Sequence, residues 1–398
     1  MDNKTFNVSR DLLFSILALI LYNGVLQLII YPELGARMGA DAFGTVLYLI
    51  SIVSIMGAGF GASANYSRLM AKKDRTQENG DYNIFLLMIT GLSVIVSFVS
   101  LLVLKELSVS AYLSLFILMV ISIFRYYADV EFRMTIRFKE YFIFFVILSA
   151  GYILGLFLYP ATQNWALVLL IGEIAAIIYT AVRGTIFRPS FFKTSDNFKE
   201  NLKSAWAISA SNLIATLILN SDRVLLRLLV GAREVTIFYT ASLIGKIIAM
   251  LTGPLNGVII SYFTNYKIKL TKKVFSLISL ATLLLSFIAS VPCTWVSGIF
   301  VKLMYPEVYE EAVQYLFPAN LGQILYFLSG SLMVLVLSLT KEKIHLVINV
   351  LYVIIFILIV IPGTYLYGLS GMAIGLVIIN LSRLLTTICL GFRYITAK

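Results

Sequence analysis

The sequence predicts an all-α integral membrane protein with twelve transmembrane helices in two six-helix bundles. Three observations carry this expectation. The 398-residue chain is 60% hydrophobic and only 13% charged, with a mean hydropathy of +0.93, more apolar surface than a water-soluble domain can cover. Its apolar residues fall into twelve runs, each about the 20 residues that cross roughly 30 Å of hydrocarbon. Basic residues also concentrate in alternate loops.

The runs have approximate limits 11–30, 42–64, 82–104, 109–126, 141–159, 163–183, 205–230, 236–263, 271–291, 312–338, 345–366 and 369–391. None shows the period-two alternation of a barrel strand, so helices are expected. The first run acts as its own insertion signal, without an A-x-A cleavage site. Cys293 and Cys389 lie in or beside apolar runs and form no disulfide or metal framework. The net charge of +11 reflects topology and not nucleic-acid binding.

Assigning both termini and every even loop to one side collects 23 of the 31 Lys and Arg residues there, against Arg37, Lys105, Arg233 and Lys302 on the other. Loop four contributes Arg125, Arg133, Arg137 and Lys139 to the basic side. The positive-inside rule therefore places both termini in the cytoplasm. The outer loops are short; the longest, Pro292 to Glu311, has about 20 residues, too few for an outer domain. The expected organisation is an N-terminal bundle over 1–183, a cytoplasmic linker over 184–204 and a C-terminal bundle over 205–398. The linker mixes Phe187, Phe191, Phe192 and Phe198 with basic residues, a composition suited to an anionic inner leaflet. Gly39-Ala40-x-x-Phe43 and Gly231-Ala232-x-x-Val235 open the second and eighth runs, a weak repeat relating the two halves.

Charge inside the membrane marks the candidate site, because an isolated charge at mid-bilayer costs about 2.5–3.5 kcal/mol on insertion scales. Six ionisable residues lie well inside runs: Glu173, Asp222, Arg223, Arg227, Lys246 and Arg383. At 1.5 Å per residue, Arg223 lies roughly 12 Å and Lys246 roughly 15 Å below the outer edge. Arg223 and Arg227 share a helix face, whereas Asp222 points about 100° away, toward a neighbour such as Lys246. Cations exceed acids, so the region reads as a cavity for an anion, with arginine forks matching phosphate; an Asp222–Lys246 packing clamp is the competing reading. In the first half, Asn23 and Gln27 are spaced i,i+4 and either line a polar path or bond across a helix interface, with Arg37 near the outer end. Glu173 is a deep acid suited to coupling, or to pairing with a cation from the other half. Snorkelling accounts for Arg383 as well as function does. Gly57, Gly59 and Gly61 allow close packing or bending, and Gly253-Pro254 with Asn256-Gly257 interrupts the eighth run.

With these residues in place, the chain resembles the polysaccharide-transport flippases, the O-antigen and capsule-unit (Wzx-type) translocases of the MATE-like MOP superfamily. The resemblance rests on Gly39-x-x-x-Phe43-Gly44, on Asp222-Arg223-x-Leu225-Leu226 with Gly231-x-x-x-Val235 and Tyr239, and on Arg133-x-x-x-Arg137-Phe138-x-x-Tyr141. Thr236-Ile237-Phe238-Tyr239 departs from the Gly-x-Tyr usual in the family. The resemblance implies two bundles around a central cavity that alternates between inward- and outward-open states. It implies a polyprenyl-diphosphate-linked oligosaccharide, carried on undecaprenyl diphosphate, as substrate in the bacterial cytoplasmic membrane, and a monomer with a polysaccharide polymerase as a partner. The expected substrate-binding residues are Asp222, Arg223, Arg227, Lys246, Asn23, Gln27 and Arg37, with Glu173 for coupling; no cofactor and no metal is expected. A cation or drug antiporter of the same superfamily is the alternative, and it calls for acids in the cavity. No HExxH, Ser/His/Asp set or P-loop points to an enzyme.

Overall fold

The computed structural model describes residues 3–71, 75–188, 190–249, 271–339 and 342–395, which are helical with no strand. Ten helices among the described residues are long and apolar enough to cross a membrane. The last of them, Val347–Arg393, turns at Gly368, where φ is 58°, and takes in two of the predicted runs. The eighth predicted run begins as Ala232–Ala249. Its remainder, with Gly253-Pro254 and Asn256-Gly257, lies outside the described residues, as does the side chain of His345.

The chain divides into two units, Met1–Arg37 with Val46–Ser221, and Met38–Thr45 with Asp222–Lys398. In the first, α1 (Asn3–Val25) passes through a π-helical turn at Leu26–Ile30 into α2 (Tyr31–Met38). Helix α3 (Ala40–Met56) passes through another, Gly57–Gly61, into α4 (Ala62–Ala71). Then come α5 (Asn79–Leu104), α6 (Val109–Ala128), the short α7 (Val130–Met134), α8 (Phe138–Thr162), α9 (Trp165–Arg183) and α10 (Phe198–Leu219). Helix α8 packs on α9 and α1, α6 on α9, and α10 on α4. Local chemistry sets the ends: Ser108 and Asn164 cap α6 and α9 with side-chain oxygens, and Lys105 and Gln163 take left-handed conformations after α5 and α8. A side chain on Gly57 or Gly59 would overlap Tyr126 or Leu213, so the glycine run lets α6 and α10 approach closely.

The segment after α9 is bound to the start of α5. Asp81 is fully buried and accepts hydrogen bonds from Ser195 N at 2.9 Å, Ser195 Oγ at 2.7 Å and Asn201 Nδ2 at 2.9 Å. Asn79 donates to Thr185 O and Ser190 Oγ, and Asn83 to Ile186 O. On the exposed side, Lys193 meets Glu78 at 2.5 Å, and that hydrogen bond raises the lysine above its ordinary pKa range.

The second unit holds α11 (Ser221–Leu229) from Asp222 onward, α12 (Ala232–Ala249), α13 (Lys272–Met304), α14 (Leu316–Leu339), α15 (Glu342–Ile355) and α16 (Ile361–Ile395). Phe275, Leu321, Leu325, Val336 and Leu384 form its apolar core. Asn320, fully buried on α14, accepts from Gly245 N at 2.8 Å and donates to Ala241 O at 2.9 Å, thereby tying α12 to α14. The start of α3 also belongs here: Gly39 adopts φ 80°, and Thr236 Oγ1 donates to Ala40 O at 2.7 Å. Arg233 pairs with Glu311 at 2.6 Å, Glu307 at 3.3 Å and Asp41 at 3.6 Å.

Three expectations change. The seventh run is not one helix: α10 ends at Leu219, and Asp222, Arg223 and Arg227 ride on the separate α11. Asn220 and Ser221 turn their side chains back onto Thr216 O and Ile218 O, competing with the helical ladder that hydropathy alone would continue. The expected outer loop from Pro292 to Glu311 is mostly helix, because α13 runs through Pro292 to Met304; membrane helices tolerate the lost hydrogen bond. Arg125, assigned to cytoplasmic loop four, is buried on α6.

Candidate functional site

Five segments of the first unit surround a cavity of about 680 Å³. Ser15, Leu19 and Tyr22 come from α1, Ala58, Ala62 and Asn65 from the glycine turn and α4, Phe138, Tyr141 and Phe145 from α8, and Asn212, Thr216 and Leu219 from α10. Each set recurs at about one and two helical turns, so each helix offers one continuous stripe. Arg125, Asp129 and Arg133, spaced four apart across α6 and α7, supply the charge.

The charged groups are held by named partners. Asn65 donates to the Asp129 carboxylate, while its Oδ1 accepts from Arg133 Nη1 at 3.2 Å. Arg133 also lies 3.8 Å from Asp129 and stacks over Tyr66 at 5.5 Å. No other hydrogen bond engages the Arg133 fork among the described residues, so it keeps donors for a ligand. Asn212 donates to Ser63 Oγ at 2.8 Å, which fixes its amide on the opposite side. Rings of Tyr22, Tyr66, Tyr126, Phe138, Tyr141 and Phe145 fill much of the remaining lining.

Behind Arg125 lies a side chamber of about 40 Å³ that also contains Tyr22, Tyr126, Tyr152 and Glu173. Arg125 Nε meets Glu173 Oε2 at 2.7 Å and Nη2 meets Oε1 at 3.1 Å, a two-pronged pair. Tyr152 donates its hydroxyl to Glu173 Oε1 at 2.7 Å. The guanidinium lies 3.7 Å from the Tyr126 ring centroid and 5.7 Å from that of Tyr22. Only 5% of Arg125 and 3% of Glu173 is exposed, so each charge relies on the other for compensation. Glu173 is therefore not a lone acid, and its counter-ion comes from its own half.

The other sequence-predicted residues are distributed more widely. Lys246 pairs with Asp222, as the helical spacing anticipates. Arg223 stacks over Tyr239 at 4.9 Å; neither it nor Arg227 has a carboxylate within ion-pair distance among the described residues, and the Nε of each lacks a hydrogen-bond partner. Arg383 sits between the rings of Tyr326 and Tyr352, at 5.0 and 5.4 Å. Asn23 donates to Leu19 O at 2.8 Å, Arg37 pairs with Glu33 at 2.6 Å, and Gln27 is buried; none of the three lines the cavity. Arg125, Asn65, Asp129, Tyr22 and Asn212 are cavity residues that the sequence reading did not select. Within the Arg133–Tyr141 motif, Arg133, Phe138 and Tyr141 line the cavity. Arg137 instead supports the loop, bonding Glu131 at 2.8 Å and Arg183 O at 3.1 Å.

Ten membrane-length helices among the described residues define a multi-pass integral membrane protein, and its fold is that of known membrane transporters. The lipid II flippase MurJ in an inward closed conformation superposes with a TM-score of 0.68 at 15% identity, over 97% of this chain and 90% of that one. An inward-facing multidrug resistance MATE family transporter of the MOP superfamily gives 0.67 at 13% identity, over 95% and 94%. The Vibrio cholerae MATE transporter VcmN in the bent form gives 0.56 at 13%, over 99% of each chain. No curated protein matches the chain in sequence. The polysaccharide biosynthesis protein family matches residues 10–267, and the chain belongs to that family.

Proposed function

We propose that this protein is a flippase that moves a polyprenyl-diphosphate-linked oligosaccharide across the bacterial cytoplasmic membrane for surface polysaccharide assembly. Its two units alternate access, both termini are cytoplasmic, and no catalytic step is involved. The observation that carries this reading is the cavity of the first unit, with two guanidinium groups, two amides and several aromatic rings. Arginine forks match diphosphate oxygens, amides serve sugar hydroxyls, and ring faces cover the apolar faces of sugars. Membership of a polysaccharide biosynthesis family supports the substrate class. Arg223 and Arg227 are proposed as further anion contacts in the second unit, beside the Asp222–Lys246 pair. A cationic drug would need free acids, whereas Asp129 is already engaged by Asn65 and Arg133.

Complementation of a strain lacking this gene tests the reading. Wild type restores surface glycan. Arg133→Gln, and Arg125→Gln combined with Glu173→Gln, insert normally but leave lipid-linked units inside. Full glycan export by both variants refutes the cavity assignment, and drug efflux without glycan export favours the antiporter.

A further inference from the structure

Arg125 is common to the main cavity and to the side chamber that holds Glu173. It uses its Nε and Nη2 edge on Glu173 and sits over the Tyr126 ring, and the residue as a whole is only 5% exposed. To offer its full fork to an anion, it must leave the carboxylate. The hydrogen-bonding side chains that line the chamber with Glu173 are then Tyr22 and Tyr31 from α1 and α2, Ser54 from α3, Ser122 and Tyr126 from α6, and Tyr152 from α8. All are uncharged; Asp129 and Arg133 line the main cavity and not this chamber. A buried carboxylate left without its counter-ion is strongly disfavoured in its ionised form.

We propose that Arg125 exchanges between Glu173 and the anionic head of the cavity ligand, and that Glu173 takes up one proton as the anion binds. This rests on the reading of the cavity as an anion site. The chamber then stays close to neutral in both states. When empty it holds guanidinium and carboxylate; when filled, the guanidinium faces the anion and Glu173 is a neutral acid. The proton comes from bulk water, through a chamber with room for water, and returns there when the anion leaves. Tyr152, which now donates to Glu173, can rotate its hydroxyl to accept from the protonated acid. Reciprocity fixes the sign: the anion promotes protonation, so protonation promotes anion binding, and a rise in pH weakens it.

The test uses the full chain in nanodiscs and a short-chain prenyl diphosphate diester of a monosaccharide, a probe with no proton of its own to exchange near neutral pH. Calorimetry in buffers of different ionisation enthalpy should show uptake of about one proton per probe, with affinity falling about tenfold per pH unit while Glu173 is ionised in the empty site. Glu173→Gln should bind more tightly at high pH, without proton uptake and without pH dependence. Should that variant fail to fold, infrared difference spectra of the wild type should gain a protonated-carboxyl band on probe addition. PH-independent binding, proton uptake unchanged in Glu173→Gln, or absence of the carboxyl band overturns the exchange. Binding that is lost in Arg133→Gln yet shows no proton uptake in wild type overturns the exchange and leaves the cavity reading intact. Failure of wild type to bind overturns both.

Discussion

A methyl group on Gly44 would lie 1.7 Å from the carbonyl oxygen of Ala232. Helix α3, just past its first turn, and the first turn of α12 are in backbone contact there, close to the two Gly-Ala openings that the sequence pattern pairs. Flexible side chains can yield to an added methyl, but a carbonyl can move only with its helix. Gly44→Ala should therefore lower stability by about 3 kcal/mol or more, read as a drop in the thermal midpoint in detergent. Gly91→Ala is the control, since nothing lies within 4 Å of its added carbon. Equal behaviour of the two variants would show that α3 and α12 are not this close.

The Asp222–Lys246 pair predicts non-additive mutations. Asp222 is 3% exposed, so Lys246→Ala leaves a buried acid uncompensated and should cost about 3–5 kcal/mol. Asp222→Asn combined with Lys246→Met should recover most of that loss. Arg223→Ala removes a stacked cation with no carboxylate partner among the described residues; it should fold normally and reduce glycan export. Expression and thermal midpoints of the variants decide this, and a stable Lys246→Ala single variant would contradict the pairing.

The linker offers a kinetic test. Asp81 holds Ser195 and Asn201 through three short hydrogen bonds, so Lys193 and Lys199 sit in a segment fastened at both sides. Asp81→Ala should free the segment, and trypsin should cut there on the order of tenfold faster or more, because cleavage follows the open population. Unchanged cleavage would mean that other contacts fasten the linker.

The fold class was legible because bilayer thickness imposes a length on every apolar run, and that length survives in the sequence. Boundaries were less legible where polar side chains act locally: composition stays apolar through Asn220, yet its amide turns back on Thr216 and the helix ends. The cavity was least legible, since it depends on which helix faces converge. Asn23 attracted attention by polarity, but Tyr22 carries the lining face, about 100° away on α1. Arg125 stands near the end of an apolar run and reads as a loop cation. Its spacing of four from Asp129, repeated to Arg133, was the available signal that these residues share a helical face. The Arg133–Tyr141 motif carried the family resemblance, but neither that resemblance nor a charge count assigned it to the cavity.

Arg133 supplies the most direct test of the cavity, because it is the cation whose donors are least committed. Its side chain retains 31% exposure, and its single hydrogen bond among the described residues goes to Asn65 at 3.2 Å. Removing it should spare the fold, since Asn65 still serves Asp129. A lost charge-assisted contact of about 1.5–3 kcal/mol corresponds to roughly ten- to hundredfold weaker anion binding. Arg133→Lys should fall between wild type and Arg133→Ala, because lysine keeps the charge and loses the planar fork. Arg137→Ala should behave differently: it removes the bonds to Glu131 and Arg183 O, so its effect should appear first as lost thermal stability. Binding of the diphosphate diester probe, measured beside the thermal midpoint for each variant, separates the two roles. Equal probe affinity in wild type and Arg133→Ala would remove Arg133 from the ligand's path.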